Sequence, residues 1–267
     1  MGIRDILVHL DNSDSCAARL DVAIAYASKH GACLRGLYVI THHFYEPRGL
    51  REKVDCDKVE AMFTSKTTEA GVTAEWVFQD CTVMGSTLSD LITVHAYFTD
   101  LIIIGQTDRS APVINIPADL AERVSLMSGR PVLVVPYTGT FKSAGTRVMI
   151  AWKMGREAIR ALNDSLPHLH KAHTITIAEI ETTATNRNSS LDKVCAFLVK
   201  HSIHATTELI SAGSFPVGDM ILNNVCEKNI DLLVMGAFAQ NRREKLDLSP
   251  IAAHILKHLT VPVLISH

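Results

Sequence analysis

The stretch DLIIIGQ (residues 100–106) decides the fold, because it returns as DLLVMGA (residues 231–237) at an offset of 131 residues. The segments that follow, PVLVVP (131–136) and PVLISH (262–267), keep this offset without a gap. The starts also match, since ILVHLD (6–11) resembles VMIAWK (148–153) at an offset of 142. A repeat of this length indicates a duplication. We therefore predict two domains, residues 1–136 and 147–267, joined by the Gly-, Ser- and Thr-containing linker at 137–146.

Each half alternates short apolar runs with segments of helical periodicity. In the first half, the helical pattern at 15–31 ends on Gly31, a residue that favours the end of a helix. The nearly continuous apolar runs, such as LIII at 101–104, are typical of parallel strands that are buried on both faces. The pattern predicts the α/β class, with two tandem doubly wound parallel five-stranded sheets and helices on both faces. Sheets of this kind bind ligands beyond the carboxyl ends of their strands, so the loops after strands one and four are candidate sites.

The composition excludes several classes of function. A net charge of −2 over 267 residues gives no electrostatic surface for nucleic acid. No apolar run approaches the ~18–20 residues that a membrane-spanning helix needs, and the start MGIRDILVHLD lacks the pattern of a signal peptide. The six cysteines include no CxxC pair, so we expect free thiols and no disulfide. We expect a cytoplasmic protein with no membrane and no nucleic-acid partner.

Several of these segments resemble one family. DLIIIGQ with SGRPVLVVPY (128–137), AWKMGREAIRALNDSLPHL (151–169), and DLLVMGAF with VPVLISH (261–267) are similar to segments of the universal stress protein family in its tandem bacterial form. The resemblance covers essentially the whole chain. It implies that ATP or AMP is a possible ligand, because family members that bind these nucleotides carry an Asp after strand one. They also carry a loop G-x2-G-x9-G-[S/T] after strand four, which places backbone N–H groups and a helix N-terminus against the phosphates.

The second half keeps part of that loop. Gly236 stands at the first glycine position, Ala239 at the second, and Ser249-Pro250 at the final pair. Ser249 and Pro250 also fit an ordinary helix start, in which a serine N-cap is followed by a proline at the first helical position. Lys153 stands where the family has its Asp.

The basic cluster NRREK (241–245) lies inside the same loop. Asn241 and Arg242 are candidate site residues, with Arg242 or Arg243 as the phosphate contact, and a solvated basic turn is the alternative. Together with Gly236 and Ser249 they form the candidate site of the second half.

The first half departs from the loop in another way. Asp11 matches the family's Asp, which contacts purine or ribose, and Val39 near the end of strand two is a candidate contact for adenine. Gly105 matches the first glycine, but Asp108 and Ala118-Asp119 stand at the other two positions. Carboxylates repel phosphates, and Asp119 also fits the start of a helix. Neither half therefore holds a complete nucleotide site.

No other motif indicates catalysis. Among thirteen histidines, His254 and His258 have the i, i+4 spacing of metal ligands but lack the HExxH arrangement. No nucleophile elbow, Walker loop or GxGxxG occurs. We expect a protein that is not an enzyme and acts in the stress response through binding and assembly. The alternatives are a regulatory protein that binds ATP or AMP, and a slow ATPase.

The repeat also predicts how the chain assembles. The two halves are expected to pair as the subunits of a dimer do, through residues 131–136 and 262–266, so that the closing strands cover each other's edges. A homodimer of whole chains and further protein partners stay open.

Overall fold

The computed structural model describes residues 2–41, 50–81, 86–108, 110, 116–141, 144–181, 190–211, 213, 215–237, 239–242 and 245–267. The chain divides into two compact units, Met1–Lys142 and Ser143–His267, called unit 1 and unit 2 below. The division falls inside the linker that the sequence repeat predicts.

Unit 1 is an α/β layer structure built on a parallel sheet. Its strands are β1 (Asp5–Leu10), β2 (Cys33–Thr41), β3 (Ala74–Cys81), β4 (Leu101–Gly105) and β5 (Val132–Val135). Its helices are α1 (Cys16–His30), α2 (Leu50–Glu69), α3 (Leu88–Ala96) and α4 (Leu120–Met127). The strand order is β3-β2-β1-β4-β5, and every neighbouring pair in it is parallel.

Unit 2 repeats this plan. Its strands are β6 (Arg147–Trp152), β7 (Thr174–Glu181), β8 (Thr206–Ser211), β9 (Leu232–Gly236), β10 (Ala239–Arg242), β11 (Lys245–Leu248) and β12 (Val263–Ser266). Its helices are α5 (Arg156–Leu169), α6 (Leu191–Lys200), α7 (Val217–Glu227) and α8 (Pro250–Lys257). The parallel sheet has the order β8-β7-β6-β9-β12, while β10 and β11 form a separate antiparallel hairpin. The predicted fold class is confirmed.

The apolar runs of the sequence form the centres of the two sheets. Every residue of β4 and of β9 is buried, as expected for parallel strands covered on both faces. Helix α1 ends at Gly31, whose φ of 62° lies in the left-handed region that favours glycine. The predicted end of this helix is therefore confirmed.

The repeated Asp-Leu pair has a structural reason. The Asp100 carboxylate accepts the backbone N–H of Arg4 at 2.7 Å and that of Asp5 at 3.1 Å, just where β1 begins. In unit 2, Asp231 Oδ1 accepts the N–H of Gly145 at 3.0 Å and that of Arg147 at 2.8 Å, where β6 begins. Each carboxylate thus holds the chain as it enters the first strand of its own sheet.

The winding of each sheet fixes where a site can form. In unit 1 the chain runs outward from β1 through β2 to β3 and then returns to place β4 on the other side of β1. The direction of winding reverses between β1 and β4, and in unit 2 it reverses between β6 and β9. The loops that follow these strands diverge at that point and leave a crevice.

Candidate functional site

In unit 1 the crevice between the ends of β1 and β4 holds a cavity of about 190 Å³. Its walls come from the residues after β1, the residues after β4 and the start of α4. Polar side chains dominate this lining, which includes His9, Asp11, Ser13, Arg19, Gln106 and Asp108. The predicted site residues Asp11 and Gly105 both line it, whereas Val39 is not among its lining residues. Val39 lies on β2 opposite Gln79 of β3.

Asp11 is a buried carboxylate that is already bound within the chain. Its Oδ2 lies 2.7 Å from Arg19 Nη2, and its Oδ1 accepts the backbone N–H of Ser13 at 2.9 Å and the Ser13 hydroxyl. Burial alone would raise the pKa of Asp11, but Arg19, His9 and the two Ser13 hydrogen bonds lower it to about 2. The carboxylate is therefore ionised at neutral pH, and most of its acceptor capacity is taken.

Arg19 is the ion-pair partner of Asp11, and the sequence motifs did not predict it as a site residue. It lies on α1, and its side chain is only 3% exposed. Burial would lower the pKa of Arg19, but Asp11 and Cys16 raise it above its usual value, so the guanidinium stays charged. A Cβ placed on Gly105 would overlap with Arg19 Nη1. The guanidinium thus fills the space directly beside the first glycine of the candidate loop.

His9 completes this buried cluster. Its Nδ1 lies 3.9 Å from Asp11 Oδ2, and the residue is 2% exposed. Burial lowers the pKa of His9 to about 4, against the opposing effect of Asp11, and Arg19 lowers it further. His9 is therefore neutral at pH 7, and the cluster has one anion, Asp11, and one cation, Arg19.

The remaining residues of the first candidate loop do not form a phosphate cradle. Asp108 Oδ1 accepts the backbone N–H of Ser110 at 2.8 Å and its hydroxyl at 2.7 Å. Asp119 stands at the N-cap of α4, where its side chain forms no capping bond, and its Oδ2 lies 2.7 Å from Arg123 Nε. Asp108 lies where the resemblance would place the second glycine, and Asp119 lies where it would place the final Ser or Thr. Both carboxylates are engaged by the loop or helix itself.

In unit 2 the main chain of α5 lies close to the corresponding glycine, Gly236. A Cβ on Gly236 would lie 2.6 Å from the carbonyl carbon of Glu157 and 2.8 Å from the amide nitrogen of Ala158. The first turn of α5 therefore packs directly against the end of β9. At this position glycine is required by the close approach of a helix, which needs no phosphate to explain it.

The rest of the second candidate loop forms a hairpin and a helix cap. Asn241 and Arg242 lie in β10, and their side chains fall outside the described residues. Ser249 is the N-cap of α8, and its hydroxyl accepts the N–H of Ala252 at 3.2 Å, with Pro250 at the first helical position. Ser249 and Pro250 therefore start a helix, which is the second of the two interpretations that the sequence allows.

The histidine pair with metal-ligand spacing lies at the C-terminal end of α8. His254 Nε2 lies 2.7 Å from Asp219 Oδ1 and its ring lies 4.6 Å from that of His258. Within the described part of the chain, no group of three or more His, Cys, Asp or Glu residues could hold a metal ion.

The five cysteines with described side chains are free: Cys16, Cys33, Cys56, Cys195 and Cys226. The side chain of Cys81 lies outside the described residues. Among the described helices, none has the length and apolar character to cross a membrane.

Comparison with known proteins gives the fold a name. No family model and no curated protein matches the chain. Among solved structures, a universal stress protein from Archaeoglobus fulgidus DSM 4304 matches with a TM-score of 0.74 at 16% identity, over 98% of this chain and 97% of that chain. The chain has the universal stress protein fold, in its tandem form. The resemblance predicted from the sequence motifs is confirmed.

Two further structures share this tandem universal stress protein fold. A putative universal stress protein from Pseudomonas aeruginosa UCBPP-PA14 has a TM-score of 0.65 at 16% identity, over 99% of this chain and 93% of its own. A functionally unknown protein from Pseudomonas aeruginosa PAO1 has a TM-score of 0.64 at 17% identity, over 99% and 92%. Identities this low establish the fold and leave the ligand of this chain to the geometry of its own site.

Proposed function

We propose that this tandem universal stress protein is a non-catalytic, cytoplasmic protein of the stress response that acts through binding and assembly, with no adenine nucleotide bound in stoichiometric amount. One observation carries the proposal. The space beside the first glycine of each candidate loop is filled by the chain itself, by the Arg19 guanidinium at Gly105 and by the α5 main chain at Gly236.

The size and charge of the unit 1 crevice support this proposal. Its volume of about 190 Å³ is smaller than the ~300 Å³ at which small-molecule sites usually begin. Among the described residues that line it, Asp11, Asp14 and Asp108 are opposed by one cation, Arg19, which Asp11 already neutralises. A nucleotide phosphate would therefore meet a surplus of negative charge in a partly buried site.

The described residues of the unit 2 crevice offer few of the backbone and hydroxyl donors that bind phosphate. The segment after Gly236 pairs as β10 and β11, so backbone groups of the hairpin are used between its strands. Pro250 has no backbone N–H, and the Ser249 hydroxyl already caps α8. A charge-assisted hydrogen bond contributes roughly 1.5–3 kcal/mol. The loss of two such donors would weaken nucleotide binding by on the order of 10²–10⁴ in affinity.

A regulatory protein that binds ATP or AMP is the second candidate. It is favoured by the cavity at the reversal point of unit 1, which is the place where doubly wound sheets bind ligands. A slow ATPase has less support, because the described residues include no group of three or more His, Cys, Asp or Glu that could hold a metal ion. Pairing of the halves through residues 131–136 and 262–266 stays a prediction from the sequence repeat.

Mass spectrometry of the ligand released on denaturation tests the proposal. We expect no adenine nucleotide in a one-to-one ratio with the purified chain, and calorimetric titration with ATP should give near-millimolar or weaker binding. A stoichiometric nucleotide, or low-micromolar binding that is lost in Gly236→Val, would contradict it and favour the second candidate. The exposed Gly2, which has no atoms near its would-be Cβ, gives the matched control Gly2→Val.

A further inference from the structure

The buried pair of Arg19 and Asp11 is not required by the fold. At the offset of 142 residues that relates the starts of the two halves, Arg19 corresponds to Ala161 and Asp11 to Lys153. Ala161 is buried on α5, as Arg19 is on α1, so unit 2 builds the same helix and sheet with a methyl group at this place. His9 corresponds to Ala151 in the same way. The cluster is therefore a property of unit 1 alone.

The Arg19 guanidinium lies between a carboxylate and a glycine. Its Nη2 lies 2.7 Å from Asp11 Oδ2, while its Nη1 lies against Gly105, where any side chain would displace it. Ser13 orients the carboxylate by donating from its backbone N–H and its hydroxyl. The guanidinium lies between the Asp11 carboxylate and Gly105, which has no side chain, at the point where the winding of the sheet reverses.

We propose that unit 1 carries a binding site for a guanidinium group at the carboxyl ends of β1 and β4, and that Arg19 fills this site as an intramolecular ligand. The chemical class of the ligand follows from the charged residues that line the crevice. Asp11 supplies an oriented carboxylate, and the exposed Asp14 with Asp108 adds negative charge at the rim. A small planar cation with several N–H donors satisfies these groups, whereas a phosphate does not.

The consequence is that the chain occupies this guanidinium site with its own Arg19. A second cation must displace this tethered, already desolvated guanidinium before it can bind Asp11 Oδ2 or enter the space beside Gly105. This inference shares with the proposed function the observation that Arg19 fills the space beside Gly105. It makes no statement about a nucleotide in unit 2, and its guanidinium readout is separate from nucleotide binding.

The test is to empty the site and refill it from solution. In Arg19→Ala, guanidinium chloride at about 20 mM, far below denaturing concentrations, should raise the thermal midpoint of unit 1 relative to the same protein in equal NaCl. The rise should saturate in the low-millimolar range, and urea at equal concentration should not produce it. The unmodified chain should show no rise, because its own Arg19 fills the site.

The matched control is Asp11→Asn/Arg19→Ala, which keeps the emptied space and removes the anion. It should lose the response to guanidinium. The proposal is overturned if Arg19→Ala shows no saturable rise, if the double variant responds equally, or if Arg19→Ala binds ATP in preference to guanidinium. ATP binding by the unmodified chain would instead count against the proposed function and leave the guanidinium readout intact.

Arg19→Lys keeps the test decisive if Arg19→Ala does not fold. Lysine retains the positive charge near Asp11 but lacks the planar fork of donors. A site shaped for guanidinium predicts a thermal midpoint for Arg19→Lys several degrees below that of the unmodified chain. Equal stability of the two proteins would show that any cation serves, and would refute a guanidinium site.

Discussion

Unit 1 should lose stability as the solution is acidified from pH 7.5 to pH 4, because of His9. Burial lowers the pKa of His9 in the folded chain to about 4, from 6.5 in an exposed histidine. The unfolded chain therefore binds a proton at a pH where the folded chain does not, and lowering the pH favours unfolding. The stabilisation is fully present above pH 6.5 and is lost as the pH falls toward 4.

The size of this loss follows from the two pKa values. Proton linkage with values of 6.5 and about 4 gives a loss of about 2 kcal/mol at pH 5 and about 3 kcal/mol at pH 4. Asp11 adds a second step, because its folded pKa of about 2 lies below the ordinary 3.8. Its contribution is present above pH 3.8 and is lost as the pH falls toward 2. Acid therefore weakens unit 1 in two separate ranges.

The two tryptophans allow this loss to be assigned to one unit. Trp76 lies on β3 of unit 1, where its ring is 5.5 Å from that of Phe63, and Trp152 lies on β6 of unit 2. Urea unfolding of Trp152→Phe, followed by fluorescence, reports on unit 1. The same experiment on Trp76→Phe reports on unit 2. The free energy of unfolding is then compared at pH 7.5, 6, 5 and 4.

The control is His9→Ala, which installs the residue that unit 2 carries at the equivalent position. This variant leaves a cavity and should be less stable at pH 7.5. Between pH 6.5 and pH 4, however, its stability should change by about 2–3 kcal/mol less than that of the unmodified chain. An equal acid-induced loss in both proteins would show that His9 is not the titrating group and would refute the reasoning.

Three further predictions concern the scaffold. Gly236→Ala should destabilise unit 2 by about 1–2.5 kcal/mol, because its Cβ meets the α5 main chain and the reduced entropy of the unfolded chain offsets only part of that cost. Urea unfolding measures this loss, with Gly2→Ala as the control variant. Equal stability of the two variants would contradict the prediction. Asp231→Ala should cost unit 2 about 1–3 kcal/mol, since three backbone N–H groups at the start of β6 lose their acceptor; an unchanged urea midpoint would count against that role. Thiol titration of denatured, unreduced protein should find six free cysteines, and a count of four or fewer would indicate a disulfide.

The fold was predictable because its signals are local and repeated. Continuous apolar runs such as LIII at 101–104 have the length of strands and bury on both faces, and the repeat fixed which runs correspond. Gly31 and the Ser249-Pro250 pair were interpretable because helix ends depend on a few neighbouring residues.

The candidate site was less predictable, because it depends on residues that are distant in sequence. Arg19 touches Gly105, and no pattern near either residue shows that contact. One signal existed: Arg19 falls on the buried stripe of α1, with Cys16, Leu20 and Ala23. A charged residue on an apolar stripe requires a buried partner, and Asp11 is the first carboxylate after β1.

The hairpin of unit 2 was missed for a related reason. The resemblance assigns residues 239–248 to a phosphate loop, and the two strands formed there are only four residues each. The alternation in KLDL (245–248) is a period-two signal. It is too short to outweigh a family pattern without the structure.

The way each crevice is closed sets how readily it can be reshaped. A side chain at Arg19 can be exchanged by one substitution while the backbone of unit 1 stays in place. The packing of α5 against Gly236 is made by main-chain atoms, which no substitution at Glu157 or Ala158 removes. As a scaffold for a new binding activity, the chain therefore has one adaptable half and one fixed half. A designer should direct variation to the first and rely on the second for rigidity.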